Sequence, residues 1–461
     1  MAVTDDAKTL PAQRPLFRLP ARVQAWLASE HAPTQRMAGA AFAIRVLSAG
    51  VVFISQILLA RWMGSFEYGT YVYVWTWLLL VGDIVHLGLP LTAQRHIPDY
   101  TQRGLFDLLR GYLLGSRWMT FALGTAAALL GALLVRSLEA SLDRHAVMPL
   151  YLACVALPFY AFSFMLDGIA RSYNWIALGL APHSLLRPLL LLALIAGAHA
   201  AGFAVDATTT LLALVVAIWT TAIMQLVALD RRLARAVPPG ARTYDVGGWF
   251  AISLPMIAVW GFYTLLTTTD VLVLRQFRPA EEVAHYYAAA KTLTLVTFVY
   301  FAVAASAAHR FTAYHVAGDH SGLADFAAKS VRWIFWPSLA ATVLILALGK
   351  PLLWLFGPTF VSAYPVMFVL AVGLLARAAV GPAERLLTMV GQQRVCALAY
   401  AAAFAVNFAG CLLLAGPYGG MGVAIATSAA FVVESALLYL IARCRLGLHL
   451  FAWPRRRPET A

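Results

Sequence analysis

Runs of mostly apolar residues, separated by short clusters of charge, glycine and proline, recur along the chain from residue 38 to residue 441. A membrane-crossing helix needs about 20 such residues, because each adds 1.5 Å across about 30 Å of hydrocarbon. Twelve stretches qualify: 38–60, 70–93, 112–135, 147–166, 175–198, 208–229, 247–268, 284–308, 329–348, 360–380, 396–414 and 419–441. Gly416-Pro417 and Gly419-Gly420 divide the last two. The runs are too long and too continuously apolar for barrel strands, which alternate over about ten residues. The pattern predicts an all-α membrane protein with twelve transmembrane helices.

The polar positions between the runs predict its orientation. One set of links carries Arg95, Arg103, Arg110, Arg171, Arg231, Arg232, Arg235, Arg242, Arg310, Lys329, Arg332, Arg385 and Arg394. The terminal segments join that set, with Lys8, Arg14, Arg18, Arg22 and Arg36 at one end and Arg443, Arg445, Arg455, Arg456 and Arg457 at the other. The alternate links hold only Arg61, Arg136, Arg144, Arg275, Arg278 and Lys350. Basic residues favour the cytoplasmic side, so both termini are expected there, which an even number of spans allows.

Composition agrees with the pattern. The 461 residues are 61% hydrophobic and 12% charged, with a mean hydropathy of +0.76, whereas soluble domains are about 25% charged. The formal charge of +13 is spread between spans, where topology explains it better than nucleic-acid binding does. Residues 1–34 are mixed and polar, and no cleavable signal peptide is expected. The four cysteines show no CxxC or zinc spacing. His309, His315, Asp319, His320 and Asp325 share the longest internal link but match no metal pattern. There is no GxxxxGK[ST] for ATP. No link is long enough for a catalytic domain, so neither an enzyme nor a cofactor is expected.

The chain divides into comparable halves. Tyr68-Gly-Thr-Tyr71 opens span two, and His285-Tyr-Tyr-Ala288 opens span eight. Each follows a short outer loop with acid and base, ARWMGSFEYG in one half and LRQFRPAEEVAHYY in the other. The expected organisation is a cytoplasmic segment 1–37, a six-helix bundle 38–229, a basic linker 230–246, a second bundle 247–441 and a basic tail 442–461. Transporters are often built from such repeats, with the substrate between them. In the stretch RWMGSFEYGTYVY, Gly64 and Gly69 are expected to permit a tight turn, and the aromatics to anchor the helix end.

Charges inside spans cost at least about 2.5 kcal/mol each by insertion scales and normally face protein or an aqueous cavity. Arg45, Asp83, Arg187, Lys291, Arg377 and Glu434 lie inside predicted spans, and Asp270 sits at the outer end of span seven. Bases outnumber acids, and a cavity lined by the surplus attracts anions. Arg45, Arg187, Lys291 and Arg377 are the candidate substrate-binding residues. Asp83 and Asp270 are candidates for ion coupling or for pairing with one of those bases. Pro182 and Pro188 bracket Arg187 and mark span five as kinked.

The stretch ISQILLARWMGSFEYGTYVYVWTWLLLVGDIVHLGLPLTAQRHIPDY, residues 54–100, resembles the first hairpin of bacterial polysaccharide-biosynthesis flippases. That family has an "lGpxeYGxY" loop, matched here by Gly64, Glu67, Tyr68, Gly69 and Tyr71, and an "lGLxxaxxR" segment, matched by Leu87, Gly88, Leu89 and Arg95. TTTDVLVLRQFRPAEEVAHYYAAAKTL resembles its second-half motif through Asp270, Glu281, Glu282, Val283, Tyr287, Ala289 and Lys291, with His285 where glycine is frequent.

The resemblance implies a V-shaped transporter of two six-helix bundles in the superfamily of multidrug/oligosaccharidyl-lipid/polysaccharide exporters. Its implied activity is moving a polyprenyl-pyrophosphate-linked oligosaccharide across the bacterial inner membrane for lipopolysaccharide or exopolysaccharide synthesis. Implied partners are that glycan, membrane lipids, an upstream glycosyltransferase, a downstream polymerase or ligase, and a coupling H+ or Na+. A cation-coupled multidrug/toxin exporter of the same architecture is the alternative, and the surplus of deep bases argues against it. A peptidoglycan precursor flippase resembles fourteen spans rather than twelve. A glycan polymerase commonly carries a large outer loop, which this chain lacks.

Overall fold

The computed structural model describes the backbone of residues 32–298, 300, 303, 311, 314 and 319–451, with side chains from Ile44 onward except His320. Lys8, Arg14, Arg18, Arg22, His309, Arg310, His315 and Arg455 to Arg457 lie outside the described residues. Among the described residues every regular element is helical. Among the described residues, nine helices are long and apolar enough to cross a membrane. Two of these are kinked doubles. Helix α1 (Ala32–Val85) turns at Gly64, whose φ of 78° is open to glycine at little cost, and so carries spans one and two. Helix α14 (Gln393–Leu446) turns at Gly419 and carries spans eleven and twelve. The eighth span is described as helix α9 (Ala280–Thr294) and is continued only in part.

Between these run α2 (Leu89–Gln102), α3 (Phe106–Leu138), α4 (Arg144–Ser172), α5 (Ile176–Ala181), α6 (Arg187–Ala200), α7 (Ala207–Ala236) and α8 (Val246–Phe277). After α9 come α10 (His320–Ala347), the short α11 (Gly349–Phe356), α12 (Tyr364–Val380) and α13 (Ala383–Met389). A π-helical turn, Pro182–Leu186, joins α5 to α6 within span five, where the two prolines predicted a break. Four aspartates stand just before long helices and close their ends: Asp143, Asp206, Asp245 and Asp319 accept hydrogen bonds from His145, Thr209, Gly248 and Gly322. Each satisfies a backbone donor that the helix itself leaves free.

The helices form two six-helix bundles. In the first, α4 packs against α1, α2, α3 and α7; in the second, α14 packs against α8 and α12. Outward-facing leucines such as Leu129, Leu133, Leu398 and Leu413 are left for lipid. The segment between the bundles is docked rather than loose. Helix α7 continues to Ala236, and the coil after it lies on α3, where Arg110 donates to the carbonyls of Ala241 (2.7 Å) and Pro238 (2.8 Å). The first turns of α8 also join the first bundle, with Trp249 fully buried beside Tyr112.

The bundles meet where α1 crosses α9. Gly69 is helical and makes no turn. A Cβ there would lie 1.8 Å from the Ala280 carbonyl oxygen, so its lack of a side chain permits close approach of the two helices. Tyr68, fully buried, packs edge-on to Tyr287 and donates to Gln56 at 2.8 Å. Arg61 reaches across to the carbonyls of Leu355 (2.7 Å) and Trp354 (2.8 Å) at the end of α11. Arg275 pairs with Asp143 at 2.5 Å. The two halves also share a device: Glu67 accepts from the Ala207 N–H at the start of span six, and Glu282 accepts from the Gly420 N–H at the start of span twelve.

Candidate functional site

Away from that seal the bundles part around a cavity of about 1500 Å³. Its rim carries Arg45, Arg95, Arg171, Arg385, Arg394 and Arg445. These belong to the basic set of links, to the start of span one and to the basic tail, so the cavity opens toward the basic end of the molecule. Among its lining residues eight bases face five acids. Two rim arginines have acids at hand: Arg171 bonds Asp167 at 2.6 Å, and Arg385 lies 3.9 Å from Glu384.

Five of the six candidate residues line this cavity: Arg45, Asp83, Asp270, Lys291 and Arg377. Arg45 stands at the rim, exposed, with Arg171, Arg385 and Asp167 as its charged neighbours. Lys291 places its ammonium 4.9 Å from the Tyr287 ring centre and makes no ion pair within 4 Å among the described residues. Its three donors and compact charge remain available to an anion. Arg377 is engaged: its guanidinium lies 3.3 Å from Glu434 and 4.8 Å from the Phe431 ring. Asp270 is buried and accepts from the Tyr286 hydroxyl (2.7 Å) and the Val271 N–H (2.8 Å). Tyr286 in turn lies 3.5 Å from Thr427, which shares the Asn407 amide oxygen with Cys411.

Arg187 is not among the cavity-lining residues. It is 5% exposed, donates to the Ser163 hydroxyl at 2.9 Å, and sits 5.2 Å over the Tyr160 ring. Its Nε has no hydrogen-bond partner among the described residues. The π-helical turn that Pro182 and Pro188 flank carries it behind the wall instead of into the lumen. Asp83 forms no ion pair with Arg187 or Arg45. The indole of Trp260, from the other bundle, comes within electrostatic reach of it.

Several lining residues carried no such signal in the sequence. Trp75, Trp260, Tyr263 and Tyr300 are cavity aromatics that look like any other aromatic in an apolar run. Asn407 was a stronger clue, since an amide in the middle of a long apolar run needs partners. Glu434 was visible as a costly charge, but its pairing with Arg377 required the packing of α14 on α12.

No protein-family model matches the chain, and no curated protein sequence does. Solved structures share its fold. An inward-facing multidrug resistance MATE family transporter of the MOP superfamily aligns with a TM-score of 0.70 at 15% identity, covering 88% of this chain and 94% of the other. The lipid II flippase MurJ, in an inward closed conformation, aligns at 0.67 with 13% identity over 87% of each chain. A MOP-superfamily transporter from Pyrococcus furiosus, whose binding pocket is described as having reverse polarity, aligns at 0.66 with 13% identity over 88% and 95%. The chain shares the fold of these structures, and its long apolar helices make it a multi-pass membrane protein.

Proposed function

We propose that this transporter fold serves as a flippase that carries a polyprenyl-pyrophosphate-linked oligosaccharide from the cytoplasmic to the periplasmic leaflet of a bacterial inner membrane, for surface polysaccharide synthesis. The observation that carries the reading is the cationic excess of a large cavity sealed at one end, eight bases against five acids. A pyrophosphate is a compact anion, and sugars are strongly hydrated. Neither crosses hydrocarbon unaided. The cavity holds the polar head while the polyprenyl chain stays in lipid. With the basic end cytoplasmic, the cavity opens toward the leaflet where such lipids are assembled.

The roles divide by position. Arg45 and the rim arginines attract the head electrostatically. Lys291 holds the pyrophosphate, and Arg377 joins it when Glu434 shares the guanidinium's remaining donors. Arg187 supports the wall from behind. Asp270, with Tyr286 and Thr427, is the group placed to couple transport to H+ or Na+. A glycosyltransferase delivers the substrate, and a polymerase or ligase removes it. Rocking of the bundles breaks the Arg61 and Arg275 contacts and opens the sealed end.

The multidrug/toxin exporter is the rival. A cavity for cationic drugs gains nothing from Lys291, which has no acid within 4 Å among the described residues. Deletion of the gene, followed by leaflet-resolved analysis of polyprenyl-linked glycans, separates the two. A finished oligosaccharide trapped on its lipid at the cytoplasmic face, released by wild type and not by Lys291→Ala at equal abundance, supports the flippase. Normal glycan delivery with lost drug tolerance makes it an exporter.

A further inference from the structure

The cavity is not uniformly cationic. Asp83, on span two, faces it from the first bundle, and the Trp260 indole meets it from span seven of the second. Trp260 is 40% exposed and tilts against Tyr263, with ring centres 5.8 Å apart. Two helical turns before Asp83, Trp75 also lines the cavity, held edge-on against Tyr160 at 5.8 Å. His86, one turn after Asp83, accepts from the Gly88 N–H through Nδ1 at 3.2 Å, so its neutral ring carries the proton on Nε2.

We propose that Asp83 and Trp260 form a saccharide subsite that reads the neutral sugars of the substrate; this rests on the flippase reading. A carboxyl group offers a phosphate no cation, so this pole takes the uncharged part of the head while the pyrophosphate lies toward Lys291. A carboxyl group offers acceptor oxygens to sugar hydroxyls in either protonation state. The Trp260 N–H lies alongside as a second polar group. The indole rests against Tyr263, and its exposed face offers a flat apolar surface to the C–H face of a pyranose ring. Carboxylate and indole come from different bundles, so a bound sugar is gripped by both. Rocking of the bundles separates the two groups and loosens the grip as the sealed end opens.

The test compares two lipids on the purified full-length protein in nanodiscs. One is undecaprenyl pyrophosphate, and the other is the undecaprenyl-pyrophosphate-linked glycan extracted from the deletion strain. Wild type is expected to bind the glycolipid at least about tenfold more tightly than the bare lipid. Trp260→Ala and Asp83→Asn are expected to erase that preference while binding undecaprenyl pyrophosphate like wild type, which also shows them folded. Trp260→Phe, keeping a ring without the N–H, should retain part of it. Lys291→Ala should weaken both lipids alike. Retention of the full preference by Trp260→Ala, or equal loss of both lipids in it, overturns the subsite. A wild type that binds the bare lipid but gains nothing from the glycan also overturns the subsite and leaves the flippase reading standing. A wild type that binds neither lipid overturns both.

Discussion

The two bundles treat buried arginine differently. In the second, Arg377 lies 3.3 Å from Glu434, and the pair is boxed by Tyr263 and Phe431. In the first, Arg187 has one hydroxyl and one ring for company, while the nearby acid, Asp83, is turned to the cavity and to Trp260. Tyr160 stands beside both of them. The second bundle pairs Arg377 internally and leaves Lys291 on the cavity with no acid within 4 Å among the described residues. The first keeps cation and anion on opposite sides of a wall, which gives that wall a carboxylate face. The difference gives the cavity Asp83 on one bundle and Lys291 on the other.

The largest blow to this contrast is Glu434→Ala. It strands a mostly buried guanidinium, and removing one partner of such a pair costs about 3–5 kcal/mol. A clear fall in Tm in detergent is expected, and the double variant Arg377→Met/Glu434→Leu should recover most of it. An unchanged Tm for the single variant would show the pair to be solvated and the contrast empty.

Asp270→Ala comes next. It leaves the buried Tyr286 hydroxyl without its acceptor at 2.7 Å, worth about 1–3 kcal/mol. Transport in vesicles should also lose any stimulation by an imposed H+ or Na+ gradient, whereas Asp83→Asn should keep it. Stimulation that persists in Asp270→Ala and vanishes in Asp83→Asn would reverse the assignment.

Arg61→Ala acts at the seal. Two hydrogen bonds to the end of α11 are lost, each worth about 1 kcal/mol at this exposed site. Distance measurements between spin labels on the Gly64 and Gly357 loops should show a larger open fraction at the sealed end. The same distribution in variant and wild type would mean that Gly69, Tyr68 and the Arg275–Asp143 pair close the end alone.

Arg187→Met should have the smallest effect on stability, within about 1 kcal/mol, because no carboxylate is orphaned and the apolar chain suits the site. A fall in Tm as large as that of Glu434→Ala would show that Arg187 has an ionic partner after all, and the asymmetry between bundles would disappear.

The spans were legible because the bilayer imposes a length and a composition, and each of the twelve windows contains helix. The kink in span five was legible from Pro182 and Pro188. Gly64 acted as read, while Gly69 did not: its role is set by Ala280, which is distant in sequence. At the site, the cost of each buried charge could be read but its company could not. Arg187 and Arg377 look equivalent along the chain. Which one meets an acid depends on how α14 crosses α12, and which one meets the lumen depends on a π-helical turn of five residues.

The sequence by itself determined that this protein lies in a membrane, crosses it as helices in two comparable halves, and carries more deep cations than anions. Those properties follow from local periodicity, span length and charge count, and each is a sum over neighbours in the chain. Tertiary structure decided which charges are spent on each other and which face the cavity. It also brought Asp83 and Trp260, from opposite halves, to one cavity. In a medium of low dielectric, a charge is governed by the groups that lie within a few ångströms of it, and that company is set by helix crossings rather than by sequence order.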